Sequence, residues 1–333
     1  MHLVRALSVF VLSVFTPAAY AACNGIDLSA DWTPDFRAEV EQMANAEPYP
    51  EGRFFEVTKN GASSVIFGTI HLSEDAVATP PAALMARLAE AEELLIEITR
   101  EEEQRMMRNL ILNPEVILAA PDRRLSDSLL PAEWAAITEL AAPLGIDADL
   151  ADQIAPWFLM ITLSNPACVL EDQYSGKQIL DRRIEAGAKA RDIPVSGLES
   201  FDDVFGLFSD VPYDEQVEML RMGLPSYTMA EDFLETTKQL YLAGKVMQIW
   251  SFSMVLTEDA FVEAASATAA MQAAETFTGL LLEARNTAWV QTLRPKLEQG
   301  NRVIAVGALH LGGTGGLLDL LEAEGFAIRR LDG

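Results

Sequence analysis

Two short segments of this 333-residue chain repeat one pattern, Phe67-Gly68-Thr69-Ile70-His71-Leu72 and Val306-Gly307-Ala308-Leu309-His310-Leu311. In each, an apolar run reaches a glycine, then two residues, then a histidine. The chain has three histidines, and His2 belongs to a removable leader, so His71 and His310 are the mature pair. Glycine lets a chain turn sharply as it leaves a sheet. In open α/β sheets, ligands bind beyond the carboxyl ends of the strands. Two imidazoles converging there suit a divalent metal, since neutral imidazole is a good ligand. They also suit acid–base work near neutral pH. A pair of satisfied core histidines is the competing explanation, and the matched motifs weigh against it.

Two carboxylates have the same layout. Glu97 follows Leu94-Leu95-Ile96, and Glu199 follows Val195-Ser196-Gly197-Leu198. A carboxylate at the end of a buried strand must find a partner, shift its pKa or bind a cation. Arg285, beside Asn286 in a helical stretch, could hold a substrate carboxylate or a developing oxyanion. Gly312 to Gly316 opens a helix but lacks the Lys-Ser/Thr ending of a phosphate loop. It is expected as a flexible turn at the pocket mouth. HExxH, paired CxxC, GxSxG and a strand-following GxGxxG are absent, which leaves serine-hydrolase and dinucleotide readings without support.

The elements that must position these residues are legible. Phe54–Val57 and Ser64–Phe67 read as strands around Asn60-Gly61, a dipeptide that favours a tight hairpin. A helix from Pro80 to about Ala91 leads to a buried strand, Glu93–Ile98. That strand–helix–strand unit starts a parallel sheet. Residues 101 to about 190 and 213 to about 299 read as helical blocks, with Met serving as core filling. Between them, Ile193–Glu199 reads as a short strand. Arg302–Val306, a helix Leu317–Glu324 and a strand Phe326–Arg329 close the chain. The fold class is α/β: one domain with a central mixed, mainly parallel sheet, flanked by helices and carrying large helical insertions.

Residues 1–21 read as a signal peptide. A basic start, the apolar run Ala6–Phe15 and Ala19-Tyr20-Ala21 match that pattern. Tyr20 occupies the place where lipoprotein signals carry a small aliphatic residue before the cysteine, so lipidation of Cys23 is not expected. No later segment reads as membrane-spanning. Residues 22–53 form an N-terminal extension containing a helix from Pro34 to Ala46, and 54–333 form the α/β domain. The expected location is the periplasm or the exterior, where Cys23 and Cys168 would pair. The formal charge of −26 becomes −27 once Arg5 is removed. So acidic a chain repels phosphate backbones, which argues against nucleic-acid binding.

The paired Gly-x-x-His motifs, the strand carrying Glu97, Gly197-Leu198-Glu199, Arg285-Asn286 and the terminal Gly-Ala-Leu-His-Leu resemble the TraB/GumN family. The resemblance runs from about Phe54 to Leu331. That family is related to the Tiki metalloproteases and, more distantly, to erythromycin-esterase-like and ChaN-like proteins. It implies a central sheet with a long helical insertion. By position, it places metal-dependent peptide cleavage on His71, His310 and Glu97. One departure stands out: many members carry a Gly-Leu-Asp-like segment before the helix that precedes the Gly-Leu-Glu strand. The corresponding stretch here, Tyr174-Ser175-Gly176-Lys177, has no acid.

The expected activity is an exported hydrolase acting on a peptide or other small substrate. His71, Glu97 and His310 would hold manganese, cobalt or zinc, with Glu97 as ligand or base, while Glu199 and Arg285 complete the site. The metal would lower the pKa of its bound water and polarise the carbonyl. Two alternatives stay open. One is a protein that captures a metal or haem without turnover. The other is a metal-free hydrolase using the same His and Glu residues. Oligomeric state is not readable from the sequence.

Overall fold

The computed structural model describes residues 23–261 and 267–331. The expected signal peptide lies outside the described residues. Six strands form one sheet: β1 Phe54–Lys59, β2 Ala62–Thr69, β3 Glu93–Ile96, β4 Val195–Gly197, β5 Arg302–Gly307 and β6 Ala327–Arg330. Their spatial order is β4-β3-β5-β2-β1-β6. β4, β3, β5 and β2 run parallel, while β1 is antiparallel to both β2 and β6. The sheet is mixed and mainly parallel, as expected.

The hairpin turns at Asn60 and Gly61, both at positive φ (53° and 85°), which matches the twist of the flanking strands. The crossover from β2 to β3 runs through a helix, Ala82–Ala89, shorter than the Pro80–Ala91 expected. β2 and β3 are not neighbours, however. β5, the fifth strand in sequence, lies between them. Strand ends also differ from the sequence reading. β3 stops at Ile96 and β4 at Gly197, so Glu97 and Glu199 lie one and two residues beyond their ladders.

β2, β3 and β5 read as near-continuous apolar runs because helices cover both faces of the sheet. On one face, Phe67, Leu94, Ile96, Val303 and Ala305 pack against Leu84 and Leu88, and against Leu180, Ile184 and Ala188 of the helix Leu180–Lys189. On the other, Ile66, Leu95, Ile304 and Val306 pack against Trp289 and Leu293 of Ala284–Leu297 and against Leu317 and Leu321. The helical insertions build a second core away from the sheet, around Trp157, Phe208 and Leu220.

The N-terminal extension packs on this body. Its helix, Pro34–Asn45, lies against Val246–Phe261 through Val40, Phe36 and Phe252. Ahead of it, the backbone N–H groups of Asn24 and Ile26 donate to Glu231 and Asp232, and Cys23 is bonded to Cys168. No helix among the described residues is long and apolar enough to cross a membrane. The disulfide closes a loop 145 residues long, for which chain entropy sets an upper bound of about 5 kcal/mol. Replacing both cysteines by serine should therefore lower unfolding stability by several kcal/mol in urea titrations. The sheet signal in circular dichroism should remain unchanged.

Candidate active site

Four neighbouring parallel strands deliver four side chains to one edge of the sheet. In spatial order they are Glu199 after β4, Glu97 after β3, His310 after β5 and His71 after β2. The echo in the sequence has a simple origin here. β2 and β5 are adjacent, with Gly68 opposite Val306 and Thr69 opposite Gly307. The two Gly-x-x-His segments leave the sheet side by side. A Cβ on Gly68 would sit 2.9 Å from the Ala308 Cα, so only glycine allows this approach.

Arg285 ties the acids together. It is 8 % exposed and begins the helix that follows a π-helical turn, Gly279–Glu283. Its Nε donates to both Glu199 oxygens (3.1 and 3.0 Å), and its Nη2 donates to Glu97 Oε2 (2.8 Å) and to Glu199. Its Nη1 donates to the Leu281 carbonyl (3.1 Å) and lies 3.2 Å from His310 Nε2. A guanidinium has five N–H groups, and all five are engaged. Arg285 has none left for an oxyanion, so it positions Glu97 and supplies charge. Glu199 lies behind Arg285, where it also accepts from Trp289 Nε1 (3.1 Å). Burial raises the Glu199 carboxyl above its ordinary value despite Arg285.

The two histidines, alike in sequence, are opposite in chemistry. His310 is buried, and its ring lies 4.4 Å from that of Trp289. Its Nδ1 is 2.7 Å from Asn286 Oδ1, while Asn286 Nδ2 donates to the Gly315 carbonyl. That second bond orients the amide, so the facing atom is an acceptor and His310 carries its proton on Nδ1. Its Nε2 lone pair then accepts from Arg285. Burial, reinforced by the Arg285 charge, holds the imidazole neutral and pulls its pKa down to about 3.

His71 has 59 % of its side chain exposed, and its Nδ1 lies 3.1 Å from Asp181 Oδ2. Asp181 is pinned through Oδ1 by the Thr69 hydroxyl (2.6 Å), which comes from the same motif as His71. The Asp181 charge, with its hydrogen bond, pushes His71 up to about 9. Its Nε2 faces the open edge. Of the three positions at which the two motifs differ, one explains this: Thr69 in the first is Ala308 in the second.

Burial pushes Glu97 up, but the two imidazoles, Arg285 and the Gly307 N–H outweigh it and hold the carboxyl down at about 2. The Gly307 N–H donates to Glu97 Oε1 at 2.5 Å. Gly307 is the floor of the site. A Cβ there would lie 3.0 Å from Glu97 Oε1, 3.6 Å from His310 Cδ2 and 4.0 Å from His71 Nε2. The bare glycine leaves the space between Glu97 and His71 open.

The structure thus brings together His71, Glu97, His310, Glu199 and Arg285. Asp181 was missed, and it corrects the expectation of a missing acid. The acid lies in Ile179-Leu180-Asp181, a few residues beyond Tyr174–Lys177, at the start of Leu180–Lys189. Its signal was present in the helix pattern, since Leu180, Asp181, Ile184, Glu185 and Ala188 share the buried stripe. The Gly312–Gly316 turn is also tied down rather than loose. Gly313 N donates to the Pro48 carbonyl, and Thr314 N donates to Glu47.

The donor set does not fit a metal in this arrangement. Among the described residues no group of three or more His, Cys, Asp or Glu is spaced to hold an ion. The lone pairs on His310 Nε2 and Glu97 Oε2 face the Arg285 guanidinium, beside which a cation would be repelled. His310 likewise has no nitrogen left for a haem iron.

Removing the Arg285 charge should be costly, because it strands two buried carboxylates. Arg285→Met should lose about 3–5 kcal/mol at pH 7 in denaturant unfolding. Part of that loss should return on acidification as the freed carboxyls protonate. In the wild type, Glu97 contributes stability above its unfolded pKa of 4.5, and that contribution fades as pH falls towards 2.

The family model described as the TraB/PrgY/gumN family matches residues 54–330, and the chain belongs to that family. No curated protein and no solved structure matches the chain.

Proposed function

We propose that this member of the family is an exported hydrolase whose proton carrier is His71. The observation that carries the reading is the His71–Asp181 pair. One imidazole nitrogen is held by a fixed carboxylate, and the other is open beside the bare Gly307 floor. That is the arrangement a general base needs, with an orienting acid on Nδ1 and a free Nε2. The disulfide supports an oxidising compartment, consistent with export to the periplasm or beyond.

In this reading a water sits between His71 Nε2 and Glu97. Neutral His71 takes a proton as the water oxygen attacks a carbonyl carbon of a peptide or ester. Asp181 stabilises the imidazolium that forms. The tetrahedral intermediate collapses as His71 returns the proton to the leaving group. Glu97, ionised throughout, orients the water, and the Gly307 N–H and Arg285 hold Glu97 still. His310 accepts from Arg285 and fixes that guanidinium. No step in this reading is routed through a metal, since His310 Nε2 and Glu97 Oε2 face Arg285 in this arrangement.

Turnover should be screened on peptide and ester libraries with the mature protein. His71→Ala should lower kcat/KM by about 10²–10⁴-fold, the span of acid–base catalysis. Gly307→Ala should lose turnover by filling the floor and crowding Glu97. A base must be neutral to act, so kcat/KM should rise with pH and level off above about 9. Asp181→Asn should move that rise to lower pH and lower the plateau. Chelators should leave activity intact. Activity lost to chelation and restored by manganese, cobalt or zinc would transfer the reading to the metal-dependent one. Turnover unaffected by His71→Ala would remove His71 from the chemistry.

A further inference from the structure

The helix Arg100–Leu112 starts three residues beyond Glu97 and has no buried residue. Arg100, Glu103, Gln104, Met107 and Arg108 follow the i, i+3, i+4, i+7, i+8 pattern of a single helix face. That face lines a cleft of about 500 Å³, whose opposite wall includes Lys177 and Arg182. Arg182 follows Asp181 on the helix Leu180–Lys189, and Arg100 lies three residues beyond Glu97, so both walls of the cleft are joined by short stretches of chain to residues of the candidate site.

The charges in the cleft divide into two kinds. Arg182 is spent, since its Nε reaches Glu103 (3.1 Å) and its Nη1 reaches Glu185 (2.7 Å) and the Ile98 carbonyl (2.9 Å). Lys177 is paired with Asp172 (2.6 Å). The other two acids of the helix's first turn are also neutralised, Glu101 by Lys189 and Glu102 by Arg105. Arg100 and Arg108 are different. Both are exposed, and neither side chain has a hydrogen-bond or ion-pair partner among the described residues. Two free guanidinium forks on one face are notable in a chain with 50 acids and 24 bases. Elsewhere that surface repels anions; here it offers a local well for them.

We infer that this cleft is a specificity subsite for an extended acidic peptide segment. Arg100 and Arg108 are eight residues apart, about 12 Å along the helix. An extended chain covers that distance in about four residues, with alternate side chains facing the same way. Each free fork matches a carboxylate bidentately. Met107, 49 % exposed between the two arginines, provides an apolar surface for the aliphatic stems of glutamates. A segment held there passes the Glu97 loop and brings the following peptide bond towards His71. Only that last step rests on the hydrolytic reading; the binding does not.

Binding can be read without turnover on full-length mature protein carrying His71→Ala. The probes are a fluorescein-labelled glutamate-rich hexapeptide and its glutamine counterpart, followed by anisotropy. The acidic peptide should bind at least about tenfold tighter, and added salt should weaken it. Arg100→Ala with Arg108→Ala should abolish the preference and leave the glutamine peptide unaffected, with an unchanged melting temperature. Equal affinity for the two peptides, or a preference that survives the double substitution, would overturn the proposal. So would inorganic polyphosphate binding more tightly than the acidic peptide at the same arginines. A protein that passes this test yet hydrolyses no acidic peptide contradicts the hydrolase reading alone.

Discussion

A guanidinium buried at the edge of a sheet must satisfy five N–H groups and a full charge, and the site is organised around how Arg285 does so. Its partners come from separate places: Glu199 after β4, Glu97 after β3, His310 after β5, and the Leu281 carbonyl one turn back. Each partner alone would be costly to bury. Together they neutralise one another and lock the strand exits to the helix Ala284–Leu297. The π-helical turn just before Arg285 fits this role. Such turns are uncommon and cluster at functional sites. Here Arg285 and Asn286, adjacent in sequence, reach the two nitrogens of the same imidazole.

That lock divides the labour between two histidines that sequence makes look equivalent. His310 is drawn inward, packed against the Trp289 ring and held neutral between Asn286 and Arg285. His71 stays at the open edge with a carboxylate behind it. The difference follows from single residues. Thr69 can fix Asp181, whereas Ala308 can fix nothing. A pair of equivalent metal ligands would need both outer nitrogens free, but only His71 has one. The asymmetry favours a division into a structural imidazole and a reactive one.

Much of this was legible in the residues. The Gly-x-x-His echo pointed to two histidines converging at one edge of the sheet, because each follows an apolar run and a glycine at the same offset. Glu97 and Glu199 were found because a carboxylate after an apolar run has few ways to be stable. The partners of these groups were harder to see. Strand order is a long-range property, and nothing local reveals that β5 inserts between β2 and β3. That insertion is what seats His310 between Glu97 and His71. Asp181 was hidden because its partner, His71, lies 110 residues earlier in the chain. Its place on the apolar stripe of Leu180–Lys189 marked it as a buried acid in need of a partner. The saturation of Arg285 could not be read from sequence at all, since three of its four partners, Glu97, Glu199 and His310, come from distant segments.

The most direct measurement is a nitrogen-15 NMR titration of His71 and His310, reading charge and tautomer at each ring. His71 should remain an imidazolium well above the ordinary histidine value, losing its proton near pH 9. His310 should stay neutral across the accessible range, with its proton on Nδ1. Two rings titrating together near 6.5, or a His310 protonated on Nε2, would contradict the division of labour on which the account rests.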